Sequence, residues 1–260
     1  MKKVLPLCGR MEMKMTSIIL NGAGGRMGKE ICAQIEADPT VALAAAVDKF
    51  APEISLHAIS EYKGDADVIV DFSHHSAVRE LIAYAVGRGI PLVLSTTGHT
   101  DDEKALIYEA AKSVPVFYSA NMSLGIAVLA DFAKKAAALF PDADIEIVEV
   151  HHNRKLDAPS GTARMIAEGI REVRPEAEFV YGRHGMEKRA PNEIGIHALR
   201  MGNEAGTHQV LISTDYQTLR LEHNAESRAV FAEGALAAAK FLIDKPAGLY
   251  DMHSMVDLIG

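Results

Sequence analysis

The sequence predicts an α/β protein: a parallel, doubly wound sheet interrupted by a second, mixed-sheet α+β domain. Three observations predict it. From Ser17 onward, short apolar runs alternate with helical stretches. A glycine-rich turn separates the first run from the first helix. After Asn121 the strands lengthen and follow one another with fewer helices between them. Strands alternating with helices favour a parallel sheet, whereas strands in succession favour a mixed or antiparallel one.

Each element has its own signal. Ser17-Ile18-Ile19-Leu20-Asn21 is a short apolar strand, and the turn after it leads into a helix over about 27–37. Residues 41–47 and 67–71 read as the second and third strands, and a helix follows over about 76–86. Residues 91–95 form the fourth. Thr100-Asp101-Asp102-Glu103 then opens a helix, because a hydroxyl and a carboxylate three residues apart satisfy free amides of the first turn. The fifth strand spans 114–118. An Ala-rich helix over roughly 125–140 is stopped by Pro141, which cannot continue it. Longer strands are predicted at 144–152, 194–200, 207–213 and 218–224, and a last helix at about 227–242. The expected division is 16–122 plus 232–260 for the first domain, 123–231 for the inserted one, and 1–15 as an N-terminal extension.

Composition narrows the function classes. A chain of 260 residues, 48% hydrophobic and 24% charged, has the balance of a globular protein with enough length for two cores. A net charge of −8 argues against general affinity for nucleic acid or an anionic membrane. An anionic ligand therefore needs a local basic cluster. Cys8 and Cys32 make neither a metal-spaced pair nor a disulfide framework, which fits a reducing, cytoplasmic setting. No apolar run approaches the length of a bilayer span. The start, Lys2-Lys3-Val4-Leu5-Pro6-Leu7-Cys8, has an apolar stretch too short for a secretion signal, and Leu7 is bulky where a lipoprotein signal wants a small residue. An extension of the chain is the expected reading.

The turn Gly22-Ala23-Gly24-Gly25-Arg26-Met27-Gly28 lies between the first strand and the first helix. Glycines there let backbone amides and a helix N-terminus approach a pyrophosphate that side chains would block. The spacing departs from G-x-G-x-x-G, but the strand before, the helix after and an acid at the end of the second strand give it a Rossmann-like context. That acid is Asp48, suited to ribose hydroxyls, and Lys49 beside it suits a 2′-phosphate. The cofactor expected is NADH or NADPH, and Arg26 can serve the same phosphates. Ser95-Thr96-Thr97 and Ser119-Ala120-Asn121-Met122 follow the fourth and fifth strands, where a nicotinamide would lie; ordinary helix capping also explains Thr97.

The densest chemistry runs from Glu149 to Ala163. His151, His152, Arg154 and Lys155 precede a turn through Asp157 and Pro159, and Ser160-Gly161-Thr162 opens a helix. Cations beside a helix N-terminus make an anion site. Zinc is not expected, since adjacent strand residues face opposite ways and no third ligand is suitably spaced. A solvated basic loop does not explain the ordered Pro, Ser, Gly and Thr.

The run HHNRKLDAPSGTA resembles the signature of the dihydrodipicolinate reductase family: two histidines, two variable residues, then K-x-D-A-P-S-G-T-A. GAGGRMG is similar to that family's cofactor loop, S-T-T-G and A-N-M-S to its nicotinamide-side loops, and the segment around Ser227-Arg228 to its return into the first domain. Two departures are His74-His75 after Asp71-Phe72-Ser73, and Ser95 where glycine is commoner. The resemblance implies NADH- or NADPH-dependent reduction of a cyclic dicarboxylic imine to tetrahydrodipicolinate, in lysine and diaminopimelate biosynthesis. It implies His151 as a proton-transfer residue and Lys155 as the proton donor. His152, Gly161 and Thr162, with Ser160 nearby, would bind substrate carboxylates. It also implies a homotetramer assembled through the second domain's sheet.

Two rivals are separable on residues. Another two-domain NAD(P)-dependent dehydrogenase, such as one acting on an aldehyde through a cysteine thioester, needs an interdomain cysteine, which neither Cys8 nor Cys32 supplies. A noncatalytic dinucleotide-binding regulator has no use for His151, Lys155 and the S-G-T helix start.

Overall fold

A computed structural model describes residues 15–256. All but Met15 of the expected extension, and the last residues of the expected C-terminal return, lie outside them.

The first sheet holds β1 (Thr16–Asn21), β2 (Val41–Val47), β3 (Val68–Asp71), β4 (Leu92–Leu94), β5 (Pro115–Tyr118) and β11 (Gly248–Tyr250). Its order is β11-β5-β4-β3-β1-β2 and every pairing is parallel. The central strands are apolar on both sides because helices cover both faces. Ile18, Leu20, Val70, Val93 and Phe117 pack with α1 (Arg26–Ala37) and α6 (Ala229–Leu242). Ile19, Ile69, Leu92, Leu94 and Val116 pack with α2 (Val78–Arg88) and α3 (Asp101–Ala110). Each such side chain withdrawn from water contributes about 1.5–3 kcal/mol before conformational entropy is counted. The Thr100–Glu103 capping box forms as the sequence predicts. In α6, Gly234 admits a close crossing: a Cβ there would fall 1.6 Å from the Met122 carbonyl oxygen.

The second sheet holds β6 (Asp144–His151), β7 (Glu178–Tyr181), β8 (Glu193–Arg200), β9 (Gly206–Ser213) and β10 (Thr218–Ala225), in the order β10-β9-β6-β8-β7. It is mixed: β6 runs antiparallel to β9 and parallel to β8. One face carries Ile145, Ile147, Ile194, Ile196, Val210 and Ile212 against α4 (Leu124–Leu139) and α5 (Gly161–Arg171). Val148, Val150, Leu199 and Leu211 alternate with these on the opposite face and remain partly exposed.

Differences from the predicted elements are local. β6 stops at His151 rather than 152, and a 3₁₀ turn (His75–Ala77) precedes α2. β7, β11 and α7 (Met252–Val256) were not predicted, being too short to display a period.

Candidate active site

The glycine turn is shaped by close contacts. Gly22 has φ +85°, and a Cβ on it would lie 2.6 Å from the Phe72 carbonyl oxygen. A Cβ on Gly28 would lie 2.2 Å from the Gly22 carbonyl oxygen, so α1 starts directly under the turn. The Gly24 amide donates to Asp48 Oδ2 at 3.0 Å, while Asp48 Oδ1 accepts from the amides of Phe50 at 2.9 Å and Ala51 at 3.1 Å. Asp48 thus builds the loop as well as facing it. No side chain caps α1 and no acid lies in its first turn, which leaves its amides for an anion. They border a cavity of about 810 Å³ lined by Gly22, Gly24, Gly25, Asp48, Lys49 and His74. This amide cradle with an acid at its rim fits NADH or NADPH. Arg26 is exposed at the helix start, Met27 is half-buried, and Ala23 is buried.

The strand ends beyond the turn are tied by Asp71, which the sequence reading left without a role. Its carboxyl accepts from Asn21 Nδ2 at 2.7 Å, Ser73 Oγ at 2.6 Å and Thr96 Oγ1 at 2.6 Å. Burial raises its pKa above the usual carboxylate value, against the pull of these hydrogen bonds. The Thr96 hydroxyl is therefore engaged by Asp71. Ser95 Oγ is buried with no partner among the described residues, and Thr97 is exposed. Ser119 Oγ donates to the Asn121 carbonyl at 2.7 Å, Ala120 is exposed, and Met122 packs into the core, so Met122 has only backbone to offer a cofactor. In the His74-His75 departure, His75 Nδ1 pairs with Glu103 Oε2 at 2.9 Å and His74 lines the cavity.

The second sheet supplies the other half. Along β6 the core-facing positions run Ile145, Ile147, Glu149, His151, so the buried face turns from apolar to ionisable at the strand end. The register sets His208 of β9 opposite Glu149 and Arg200 of β8 opposite His151. Glu149 is fully buried; it lies 2.5 Å from His151 Nδ1 and accepts two hydrogen bonds from Arg200, at 2.7 and 2.8 Å. Burial would raise its carboxyl, but the bonds from His151, Arg200 and the Ser160 amide outweigh that and hold it at about 2. Burial, together with neighbouring His151, lowers His208 to about 4. His208 Nε2 lies 3.1 Å from Ser160 Oγ, which also caps α5 by accepting from the Ala163 amide. The Ser160 side chain is thus occupied, leaving Gly161 and Thr162 as the more open part of the helix start.

Lys155 Nζ pairs with Asp157 Oδ1 at 2.9 Å. His152 is pushed below its usual value by desolvation and by the cations Arg154 and Arg228, and its buried Nδ1 has no partner among the described residues. The loop after β5 reaches this cluster, because Asn121 Nδ2 donates to Thr162 Oγ1 at 2.9 Å. Among the described residues no group of three or more His, Cys, Asp or Glu side chains is arranged to hold a metal ion. Asp71, Glu149, Arg200 and His208 are the residues that sequence reasoning missed. Only Glu149 carried a signal, standing two positions before His151 and hence on its face of the strand.

Comparison with known proteins decides the family. Residues 16–122 match the family model "Dihydrodipicolinate reductase, N-terminus" and 125–256 match "Dihydrodipicolinate reductase, C-terminus". The chain belongs to the dihydrodipicolinate reductase family. It is 47% identical over 247 residues to 4-hydroxy-tetrahydrodipicolinate reductase of Caldanaerobacter subterraneus subsp. tengcongensis, covering 93% of this chain and 98% of that one. The Clostridium tetani reductase is 42% identical over 255 residues, covering 94% and 98%. A solved dipicolinate-bound dihydrodipicolinate reductase from Paenisporosarcina sp. TG-14 aligns with TM-score 0.75 at 26% identity, over 91% of this chain and 97% of that one. The chain is an oxidoreductase that uses NADH or NADPH. The thioester alternative finds no support in Cys32, which packs against the core from α1 and whose thiol is raised by burial; Cys8 lies outside the described residues.

Proposed function

We infer that this reductase acts on 4-hydroxy-tetrahydrodipicolinate and yields tetrahydrodipicolinate, a step of lysine and diaminopimelate biosynthesis. The conversion loses one water and gains a hydride and a proton. When bound, the nicotinamide supplies the hydride. The chain's residues do the rest. The amides of Gly22–Gly28, with Ala23, Arg26 and Met27 in the same turn, hold the pyrophosphate, and Asp48 and Lys49 meet the adenosine ribose or its 2′-phosphate. Ser95, Thr96 and Thr97, with Ser119, Ala120, Asn121 and Met122, border the nicotinamide. Gly161 and Thr162 at the α5 start, with Ser160 behind them and His152 beside them, take the substrate carboxylates. Lys155 delivers the proton, and His151 moves protons at the ring.

The observation that carries this reading is the Asn121–Thr162 hydrogen bond, 2.9 Å long, which joins a nicotinamide-side loop to the substrate-side helix start. Both halves of the chemistry are thereby held together, which is the positioning a hydride transfer needs. The test is NAD(P)H oxidation with substrate generated enzymatically in the assay. Oxidation must depend on that substrate; cofactor binding without turnover would overturn the reading.

The same reading divides the chain into a cofactor domain (16–122 plus 232–260), a substrate and assembly domain (123–231) and an N-terminal extension (1–15). It describes a cytoplasmic homotetramer built through the partly exposed sheet face bearing Val148, Val150, Leu199 and Leu211, with neither nucleic acid nor membrane as partner. Support for the assembly comes from a sheet face whose apolar side chains need covering; no described helix is long and apolar enough to cross a membrane. Light scattering that gives a monomer mass would remove the tetramer.

A further inference from the structure

An ionised carboxylate in an apolar wall persists only when its oxygens are met by donors. Glu149 satisfies this condition fully. Oε1 accepts from the Ser160 amide at 3.0 Å and from Arg200 Nη2 at 2.7 Å. Oε2 accepts from Arg200 Nη1 at 2.8 Å and from His151 Nδ1 at 2.5 Å. A carboxylate has no proton to give, so the hydrogen between Glu149 and His151 belongs to Nδ1. Nε2 is then the nitrogen left for chemistry, and it faces Gly206, where a Cβ would stand 3.0 Å away. The groups packed round the ring leave Glu149 as its charge partner: Arg200 is bound to Glu149, His208 sits edge-on at 5.2 Å, and Lys155 is paired with Asp157.

We propose that Glu149 is the positioning residue of this reductase: it fixes the Nδ1–H form of His151, presents Nε2 to the substrate and stabilises the imidazolium, while Arg200 and the Ser160 amide lock the carboxylate. The proposal rests on His151 being a proton-transfer residue. It also explains how two functions keep register. One carboxylate holds the proton-transfer ring and, through Ser160, the start of the helix that takes the substrate carboxylates. The same logic governs carboxylate–histidine pairs in hydrolases, where the acid holds the ring in the working tautomer.

The test is Glu149→Gln, alone and combined with His151→Ala. The amide would donate to Nδ1 and turn the ring to its Nε2–H form. The single variant should lose about 10²-fold in kcat, part of what a positioned proton-transfer group supplies. KM for the dicarboxylate should stay within about threefold, since the Gly161–Thr162 amides and hydroxyl remain. The double variant should be no slower than His151→Ala alone, because Glu149 acts through that ring. Multiplying losses, or a Glu149→Gln enzyme of near-normal kcat, overturns the proposal while leaving His151 catalytic. A His151→Ala enzyme of near-normal kcat instead overturns the reading beneath it. Should Glu149→Gln fail to fold, ¹⁵N-histidine spectra of the wild type decide: the neutral His151 ring must be Nδ1-protonated, and an Nε2-protonated ring refutes the proposal.

Discussion

Asn121 donates its side-chain amide to Thr162 Oγ1 at 2.9 Å, and that bond orients more than it binds. A hydroxyl whose lone pair is taken by an N–H turns its own proton outward, and an anion site needs donors. The Asn121 carbonyl oxygen on the same side chain accepts from the Ser123 amide at 2.8 Å, so the residue is fixed from both ends. Thr162→Val should therefore raise KM for the substrate by roughly 10- to 100-fold, the scale of one hydrogen bond to a charge, with kcat little changed. Asn121→Ala should raise the same KM by less, since the hydroxyl survives without its orientation. Steady-state kinetics on both variants checks this. A fall in kcat at constant KM would assign Thr162 to the transition state instead.

In the proposed reading cofactor choice turns on two neighbours with different duties. Asp48 accepts three backbone amides, those of Gly24, Phe50 and Ala51, so its loss deforms the turn itself. Lys49 is exposed, with its ammonium 5.7 Å from the Phe50 ring centroid. Asp48→Ala should weaken both cofactors, NADH more than NADPH because the ribose acceptor is lost along with the turn, and Lys49→Ala should weaken NADPH more than NADH. In the unaltered enzyme kcat/KM for the two should differ by less than about 100-fold, near 3 kcal/mol. A larger preference for either would show that the acid and the lysine do not offset each other.

Much of the fold was legible because the sequence punctuates it with local chemistry. Thr100 and Glu103 announce a helix start, Pro141 a helix stop, and Ser160 a cap that the structure retains. β7 and β11 have four and three residues, too few for either period to appear. The glycine turn and the run from His151 to Thr162 were legible for the same local reason. Asp71, Arg200 and His208 were not, because their roles are created by register. Arg200 reaches Glu149 across 51 positions and His208 reaches Ser160 across 48. No local pattern encodes such pairings, which exist only once β6, β8 and β9 are aligned.

Acid should loosen the second sheet in a predictable window. His208 is lowered from 6.5 to about 4 chiefly by burial, so the unfolded chain binds a proton more readily than the fold. Its contribution is present above pH 6.5 and is lost as pH falls toward 4, to the extent of about 3 kcal/mol. Glu149, lowered from 4.5 to about 2, adds stability above pH 4.5 that is lost as pH falls toward 2. Asp71, raised by burial, acts in the opposite sense, keeping its proton in the fold and losing that contribution as pH rises. Urea midpoints should therefore drop between pH 6.5 and 4, and His208→Gln should flatten that part of the curve. An unchanged slope in His208→Gln would assign the acid sensitivity elsewhere.

The proton-transfer assignment makes the sharpest demand on the enzyme. Hydride addition to a ring conjugated with C=N leaves electron density that a proton must quench, so a donor has to stand beside the ring. Lys155 brings an ammonium whose charge favours the density as it develops, and its pairing with Asp157 at 2.9 Å holds that charge near the α5 start. His151, backed by Glu149, brings a ring that can take a proton on one nitrogen and return it. In the proposed reading neither is required to hold the carboxylates, which fall to the backbone and hydroxyl donors of Gly161 and Thr162. Replacing His151 or Lys155 with Ala should therefore lower kcat by roughly 10²–10⁴-fold while NADH binding persists. Lys155→Ala also frees Asp157, whose carboxyl the lysine holds below its usual value, so an added acid beside the anion site should raise KM as well. Combining Lys155→Ala with Asp157→Asn should restore KM but not kcat. If folded His151→Ala and Lys155→Ala enzymes, checked by NADH titration and oligomer mass, keep near-normal kcat, the proton comes from another group and this assignment falls.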